Sequence, residues 1–349
     1  MTETPIPAAE ARLRVACLGF VFDPAAQAVI NRVAPPNFQL SYAERPQDMT
    51  EAMLTDSDML LVVAPVTDDM LARAPRLRFI QKWGTGYEKI DVAAAARRGI
   101  TVAITAGANA ETIAEHAVTL MLTVLRRIVV ADRAVRDGRW IPAELRPVSQ
   151  RLYGKTVGIV GFGNIGKAVT RLLAGFGTTV LYTKRGGPVP DEAALGASFA
   201  PLPELLSRSD IVTLHCPGGA ANRHLIGRAE IEAMKPGAVL INVARGELVV
   251  EEALVAALQS GHLSGAGLDV FAEEPLPPGS PLRAFDNVVL TPHSAGSLME
   301  DVALMARHAF ENMLRFSRGE SIRPADLISA PPGSPAASAA SPPSREVLP

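Results

Sequence analysis

Residues 156–177 read TVGIVGFGNIGKAVTRLLAGFG, and no other stretch narrows the possible folds of this chain as sharply. TVGIV is a short apolar run of the kind that forms a buried strand, and KAVTRLLAGFG has helical composition. Gly161-x-Gly163-x-x-Gly166 lies between them. Three glycines at that spacing mean little alone in a chain with 28 of them. Placed between a strand and a helix they carry a specific geometry. The first permits a tight turn, the second lets backbone approach a pyrophosphate, and the third lets helix and strand pack closely. The helix N-terminus then offers free N–H groups and a positive dipole end to the phosphates. A dinucleotide-binding turn is the expectation.

The end of the next strand selects the dinucleotide. An acidic residue about 20 positions past the turn would hold the ribose 2′-hydroxyl of NAD. Here the chain runs Tyr182-Thr183-Lys184-Arg185, with a hydroxyl and two cations but no carboxylate. A 2′-phosphate is a dianion that such cations attract. Thr183, Lys184 and Arg185 therefore favour NADP(H), with NAD the alternative.

The rest of the chain repeats the strand–helix alternation. Apolar runs at 13–20, 58–65, 77–84 and 100–105 form one series; runs at 156–161, 178–182, 210–216, 238–244, 265–271 and 287–293 form a second. Helices are expected at 164–175, 203–208, 228–234 and 250–260 in the second series. Alternation of this kind predicts parallel sheets covered on both faces. With 349 residues, two domains are expected. Residues 109–138 have helical periodicity without internal proline or glycine and predict one long helix; residues 297–319 predict a last one. From Ala330 the sequence PPGSPAASAASPPSREVLP is rich in Pro, Ser and Ala, and a disordered tail is expected at 330–349.

Composition removes several function classes. The net charge of −2 gives no general attraction to nucleic acid or anionic lipid. The basic groups Arg73, Arg76 and Arg78, and Arg126 with Arg127, are too short to form a binding stripe. No apolar stretch reaches the roughly 18 residues needed to span a bilayer. The N-terminal MTETPIPAAEARLR lacks the basic-then-apolar order of a signal peptide. Cys17 and Cys216 lie in apolar runs and read as buried free thiols. A cytoplasmic location, no metal, no nucleic acid and no membrane partner are expected.

Three polar residues stand at or just past predicted strand ends: Arg245 after AVLINVA, Glu274 in AEEP after GAGLDVF, and His293 at the end of NVVLTPH. In open α/β sheets the carboxyl ends of strands face the ligand crevice. With LYGKTVGIVGFGNIG (152–166), INVARGELVVEEALVAAL (241–258), GAGLDVFAEEPLP (265–277), TPHSAGS (291–297), KWGTGYEKIDV (82–92) and GANAETIAEHAVTLML (107–122), the chain resembles the D-isomer-specific 2-hydroxyacid dehydrogenases over about residues 15–320.

That resemblance implies an oxidoreductase moving a hydride between NAD(P)H and a small 2-keto/2-hydroxy acid, of glyoxylate/hydroxypyruvate reductase type. It implies a Rossmann cofactor domain (107–297) inserted in a flavodoxin-like substrate domain (1–106 and 298–329), with the active site in the cleft. Arg245 would bind the substrate carboxylate and polarise the carbonyl, as a planar guanidinium can. His293 would be the general acid–base, and Glu274 would orient its ring. Asn164 and Ile165 would lie against the pyrophosphate. Cys216 and Pro217, with His215 in a structural role, would line the cofactor. Val243, Ala244 and the Asp269 side chain would hold the nicotinamide amide. Backbone N–H groups of Thr85 and Gly86 would receive the substrate carboxylate, with Lys82, Trp83 and Asn109 bordering the pocket. A homodimer built on the long helix and the 120–150 segment is also implied. The chain departs from the family pattern at Thr183 and in the Gly/Ala-rich PGGAAN (217–222). The rival readings are a corepressor-like dinucleotide sensor without turnover and a phosphite-type dehydrogenase. Formate enzymes of the family carry Gln where this chain has Glu274.

Overall fold

The computed structural model describes residues 12–19, 24–334 and 336. The chain divides into two compact units, Met1–Ala108 with Leu298–Pro349, and Asn109–Ser297. Each is an α/β unit built on one sheet.

The first unit's sheet has six strands, in the order Leu327–Ser329, Thr101–Ala103, Phe79–Lys82, Met59–Val62, Leu13–Leu18 and Phe38–Ala43. Five run parallel, with Val15 beside Met59, Met59 beside Phe79 and Phe79 beside Thr101. Alternate residues serve opposite cores. Val15, Cys17, Met59, Leu61 and Phe79 pack with Ile30, Phe310 and Met313, while Ala16, Leu18, Leu60, Val62 and Ile80 pack with Leu71, Leu77 and Ala95. Covering both faces is why these strands are near-continuous apolar runs. The returning helix Met299–Ser317 supplies Phe310 and Met313. Buried Asp326 ties this return to the sheet by accepting from the Ala106 N–H (2.9 Å), His308 Nε2 (2.9 Å) and Arg323 Nε (2.7 Å).

Two strands of this sheet were not expected. Phe38–Ala43 is an edge strand in which polar Gln39 and Ser41 interrupt part-buried Leu40 and Tyr42, so it forms no continuous apolar run. Leu327–Ser329 is antiparallel to Thr101–Ala103 and has three residues. Packing also continues beyond 329, where disorder was expected. Ala330 packs against the core cluster and Ala336 is buried within it. Residues 335 and 337–349 lie outside the described residues.

The second unit's sheet is wholly parallel: Val288–Leu290, Leu263–Leu268, Ala238–Asn242, Ile211–Leu214, Thr156–Val160, Thr179–Thr183 and Ala197–Phe199. Strand order reverses between Thr156–Val160 and Ile211–Leu214, which places a topological switch point at their carboxyl ends. The three-residue strand Ala197–Phe199 was too short to read in advance.

The expected helix over 109–138 is two helices, Ala110–Arg126 and Ile128–Arg136. Arg127 breaks it with left-handed backbone (φ 54°), and its Nη2 donates to the Ser264 carbonyl at 2.8 Å. The first of the two packs closely on the sheet. A Cβ at Gly267 would lie 3.0 Å from Leu120 Cβ, and one at Gly265 2.7 Å from Val124 Cγ1. Glycine in GAGL therefore admits the helix, and Leu120, Met121 and Val124 fill the core.

Candidate active site

The glycine turn sits at the switch point. Gly161 has φ +97°, and a Cβ there would meet the Cys216 nitrogen at 2.5 Å. Only glycine adopts this backbone so close to the neighbouring chain. At Gly166 a Cβ would meet the Gly161 carbonyl oxygen at 2.5 Å, so the helix starts tight against the turn. A Cβ at Gly163, by contrast, would meet nothing within 4 Å. Gly163 is the N-cap of helix Asn164–Ala174 and makes no side-chain capping bond. Open space before an uncapped helix N-terminus suits a diphosphate. Phe162 is buried and stacks on Tyr182 with ring centroids 3.8 Å apart, which fixes the turn against the next strand.

That strand ends at half-buried Thr183, followed by exposed Lys184 and Arg185. Across the switch point lie His215, Cys216 and Pro217. His215 Nε2 is 2.9 Å from Thr213 Oγ1, and its buried Nδ1 has no hydrogen-bond partner among the described residues. Burial pushes the His215 imidazole down to about 3, so the ring is neutral. Burial pushes the Cys216 thiol up to about 11, against a smaller opposing pull from Arg185. Both cysteines are free.

Arg245, Glu274 and His293 all lie in the second unit, joined by a short run of contacts. Arg245 follows strand Ala238–Asn242 and opens the single turn Gly246–Leu248. Buried Asn242 shapes that turn: its Nδ2 donates to the Arg245 carbonyl (2.9 Å) and its Oδ1 accepts the Ala244 N–H (3.0 Å). Arg245 is half-buried, with Nη1 donating to the Ala244 carbonyl at 2.6 Å. A Cβ on Gly246 would lie 1.9 Å from the Phe271 carbonyl carbon and oxygen. Glycine thus presses the arginine turn onto the 271–274 loop. The Phe271 N–H donates to Glu274 Oε1 (3.1 Å), and Glu274 Oε2 is 2.9 Å from His293 Nδ1. Both carboxylate oxygens are engaged, one holding the loop and one the imidazole. The His293 side chain is 51% exposed, accessible to a small molecule.

His293 itself has φ 51°, rare for a residue with a side chain. Its N–H donates to the Asp269 carbonyl at 2.8 Å. The Asp269 carboxylate, buried at the carboxyl end of Leu263–Leu268, accepts from Thr291 Oγ1 (2.6 Å), Ser294 N–H (2.9 Å) and Ala295 N–H (3.0 Å). Asp269 therefore builds the loop that presents His293. Its own N–H donates to the Asn242 carbonyl, which brings it beside Val243 and Ala244.

Sequence reasoning missed two supports. His116 on helix Ala110–Arg126 places Nε2 3.1 Å from Thr291 Oγ1 and 3.5 Å from Asp269 Oδ1. Glu247 Oε1 accepts the Gly219 N–H at 2.6 Å, tying the arginine turn to PGGAAN. The AEH run in a helix hinted at the first; nothing in the sequence hints at the second. Asn109 lies beside the histidine loop, where a Cβ on Gly296 would meet its Nδ2 at 2.7 Å. Lys82, Trp83, Thr85 and Gly86 belong to the first unit, at and past the carboxyl end of Phe79–Lys82. Gly84 anchors their loop by donating to Thr105 Oγ1 at 2.8 Å. Among the described residues no cluster of His, Cys, Asp and Glu could hold a metal, and no helix is long and apolar enough to cross a membrane.

Comparison with known proteins agrees with this architecture. Residues 118–295 match the family model for D-isomer specific 2-hydroxyacid dehydrogenase, NAD binding domain. A glyoxylate reductase of Korarchaeum cryptofilum is 42% identical over 267 residues, covering 76% of this chain and 80% of that protein. A glyoxylate reductase of Aeropyrum pernix is 40% identical over 291 residues, covering 82% and 84%. The NAD-dependent formate dehydrogenase of Staphylococcus aureus, solved in complex with NAD, superposes with a TM-score of 0.80 at 26% identity, covering 91% of this chain and 100% of that one. With a dinucleotide turn at the switch point and an Arg, Glu and His on adjoining strand ends, the chain belongs to the D-isomer specific 2-hydroxyacid dehydrogenases, oxidoreductases acting on CH–OH groups with a nicotinamide dinucleotide.

Proposed function

We propose that this protein reduces glyoxylate and similarly small 2-keto acids, such as hydroxypyruvate, with NADPH preferred over NADH. The observation that carries the reading is the pairing of His293 Nδ1 with Glu274 Oε2 at 2.9 Å, next to the turn that bears Arg245. With Nδ1 held, Nε2 is the atom that exchanges a proton with substrate. In the reductive direction His293 gives that proton to the carbonyl oxygen; in the oxidative direction it takes it back. The Arg245 guanidinium binds the carboxylate and draws charge from the carbonyl. Glu274 sets the ring orientation. When bound, the reduced nicotinamide dinucleotide supplies the hydride.

Gly161, Gly163, Asn164, Ile165 and Gly166 hold the diphosphate. Val243, Ala244 and Asp269 fix the nicotinamide amide, and Cys216 and Pro217 line the cofactor. Thr183, Lys184 and Arg185 take the 2′-phosphate, since three donors and no carboxylate favour a dianion. Thr85 and Gly86 offer backbone N–H groups for the substrate carboxylate at the carboxyl end of their strand. A glutamate at 274 favours keto-acid reduction over formate oxidation, and a complete acid–base set favours an enzyme over a sensor.

The protein is further read as a cytoplasmic homodimer. Ile128, Val129, Val135, Trp140, Val148 and Tyr153 are exposed within one segment of the second unit, Trp140 by 83%. Apolar exposure on that scale suits burial against a second copy. Free Cys17 and Cys216 suit a reducing compartment.

The test is nicotinamide absorbance with NADPH and NADH against glyoxylate, hydroxypyruvate, pyruvate, formate and phosphite. Turnover on glyoxylate or hydroxypyruvate with NADPH is expected. Turnover only on formate or phosphite, or none on any of them, contradicts the reading.

A further inference from the structure

The Gly/Ala-rich segment 217–222 carries one residue that reaches the cationic end of the proposed dinucleotide site. Half-buried Asn222 spends its amide on two partners. Nδ2 donates to the Pro217 carbonyl at 2.8 Å, and Oδ1 accepts from Arg185 Nη2 at 3.2 Å. A carbonyl only accepts and a guanidinium only donates, so these partners fix the direction of the amide. The loop is anchored in turn. The Asn222 N–H donates to the Gly219 carbonyl (3.0 Å), the Gly219 N–H to Glu247 Oε1 (2.6 Å), and the His224 N–H to the Glu247 carbonyl (2.8 Å). Lys184 and Arg185 are both exposed, but Arg185 is bound to a loop that is itself held.

We propose that Asn222 is a positioning residue for Arg185, and that through this contact the 217–222 loop sets selectivity for a 2′-phosphorylated dinucleotide. An exposed arginine loses side-chain freedom when it engages a phosphate. A partner that already holds one end of its fork lowers that ordering cost. The partner must also be neutral. A carboxylate at 222 would hold the guanidinium at least as firmly yet bring negative charge toward the dianion. Asn222 thus orders Arg185 without neutralising it. This inference rests on the reading of Thr183, Lys184 and Arg185 as a 2′-phosphate site.

The test titrates NADPH and NADH, by cofactor fluorescence, into the full-length wild type, Asn222→Ala, Asn222→Asp, Arg185→Ala and the Asn222→Ala/Arg185→Ala double variant. Wild type is expected to bind NADPH more tightly. Asn222→Ala should weaken NADPH by about five- to tenfold, the ordering cost typical of one long side chain, and leave NADH within about twofold. In the Arg185→Ala background it should cost nothing further. Asn222→Asp should weaken NADPH more than Asn222→Ala does and spare NADH. Equal losses for both cofactors, or additive effects of Asn222→Ala and Arg185→Ala, would overturn the positioning role while leaving the cofactor preference intact. A wild type that binds NADH as tightly as NADPH overturns the preference and the inference together.

Discussion

The Asp269 carbonyl accepts the His293 N–H at 2.8 Å and holds His293 in left-handed backbone, while the Asp269 carboxylate collects Thr291, Ser294 and Ala295 around it. His293, the residue proposed to transfer the proton, is thus fixed by the end of a neighbouring strand. Asp269→Ala should leave the part-buried Ser294 N–H and the buried Ala295 N–H without their acceptor, the buried one at about 1–3 kcal/mol. A fall in Tm together with a fall in kcat is expected in thermal unfolding and steady-state assays. A variant with native Tm and kcat would contradict this role.

Glu274 holds the His293 ring itself, with Oε2 2.9 Å from Nδ1. Glu274→Gln keeps an oxygen for one partner but removes the charge. The expected outcome is a kcat lower by about 10–100-fold with cofactor affinity unchanged, less than the roughly 10²–10⁴-fold expected of the acid–base group itself, because Glu274 acts through the imidazole. Unchanged kcat on glyoxylate would show that the carboxylate does not support the imidazole.

Gly246 has no room for a side chain against Phe271. Gly246→Ala must shift either the Arg245 turn or the 271–274 loop, because the obstacle is backbone. KM for the keto acid should rise and kcat fall, with cofactor Kd little changed. Wild-type kinetics in this variant would mean that the two segments yield without cost.

His215 carries a pH signature separate from catalysis. Burial holds its folded pKa near 3 against an ordinary value of 6.5. Above 6.5 both folded and unfolded chains leave it neutral, and it has no effect on stability. As pH falls below 6.5 the unfolded chain takes a proton that the fold refuses, so stability drops until the fold too is protonated near pH 3. His215→Asn should remove that slope. Tm measured from pH 8 to pH 4 should fall more steeply in wild type than in the variant; parallel curves would contradict it.

The sequence carried most of the second unit because its physics is local. Gly161, Gly163 and Gly166 announce their turn, and runs such as AVLINVA are apolar because both faces of the strand are covered. Arg245 and His293 were legible as strand-end residues, and Glu274 as lying shortly past one. What escaped reading depends on partners distant in sequence. The kink at Arg127 answers to Ser264, and the antiparallel strand Leu327–Ser329 exists because Thr101–Ala103 offers it an edge. Asn222 meets Arg185, and Glu247 meets Gly219, only after the switch point has formed. None of these contacts has a periodicity or a spacing that could reveal it.

We propose that His293 transfers the proton during reduction of a 2-keto acid. Stopped-flow oxidation of NADPH by the His293→Ala variant, with glyoxylate saturating, tests it most directly. A rate lower by about 10²–10⁴-fold is expected, with NADPH affinity within about threefold of wild type. Oxidation at a near-wild-type rate would contradict it.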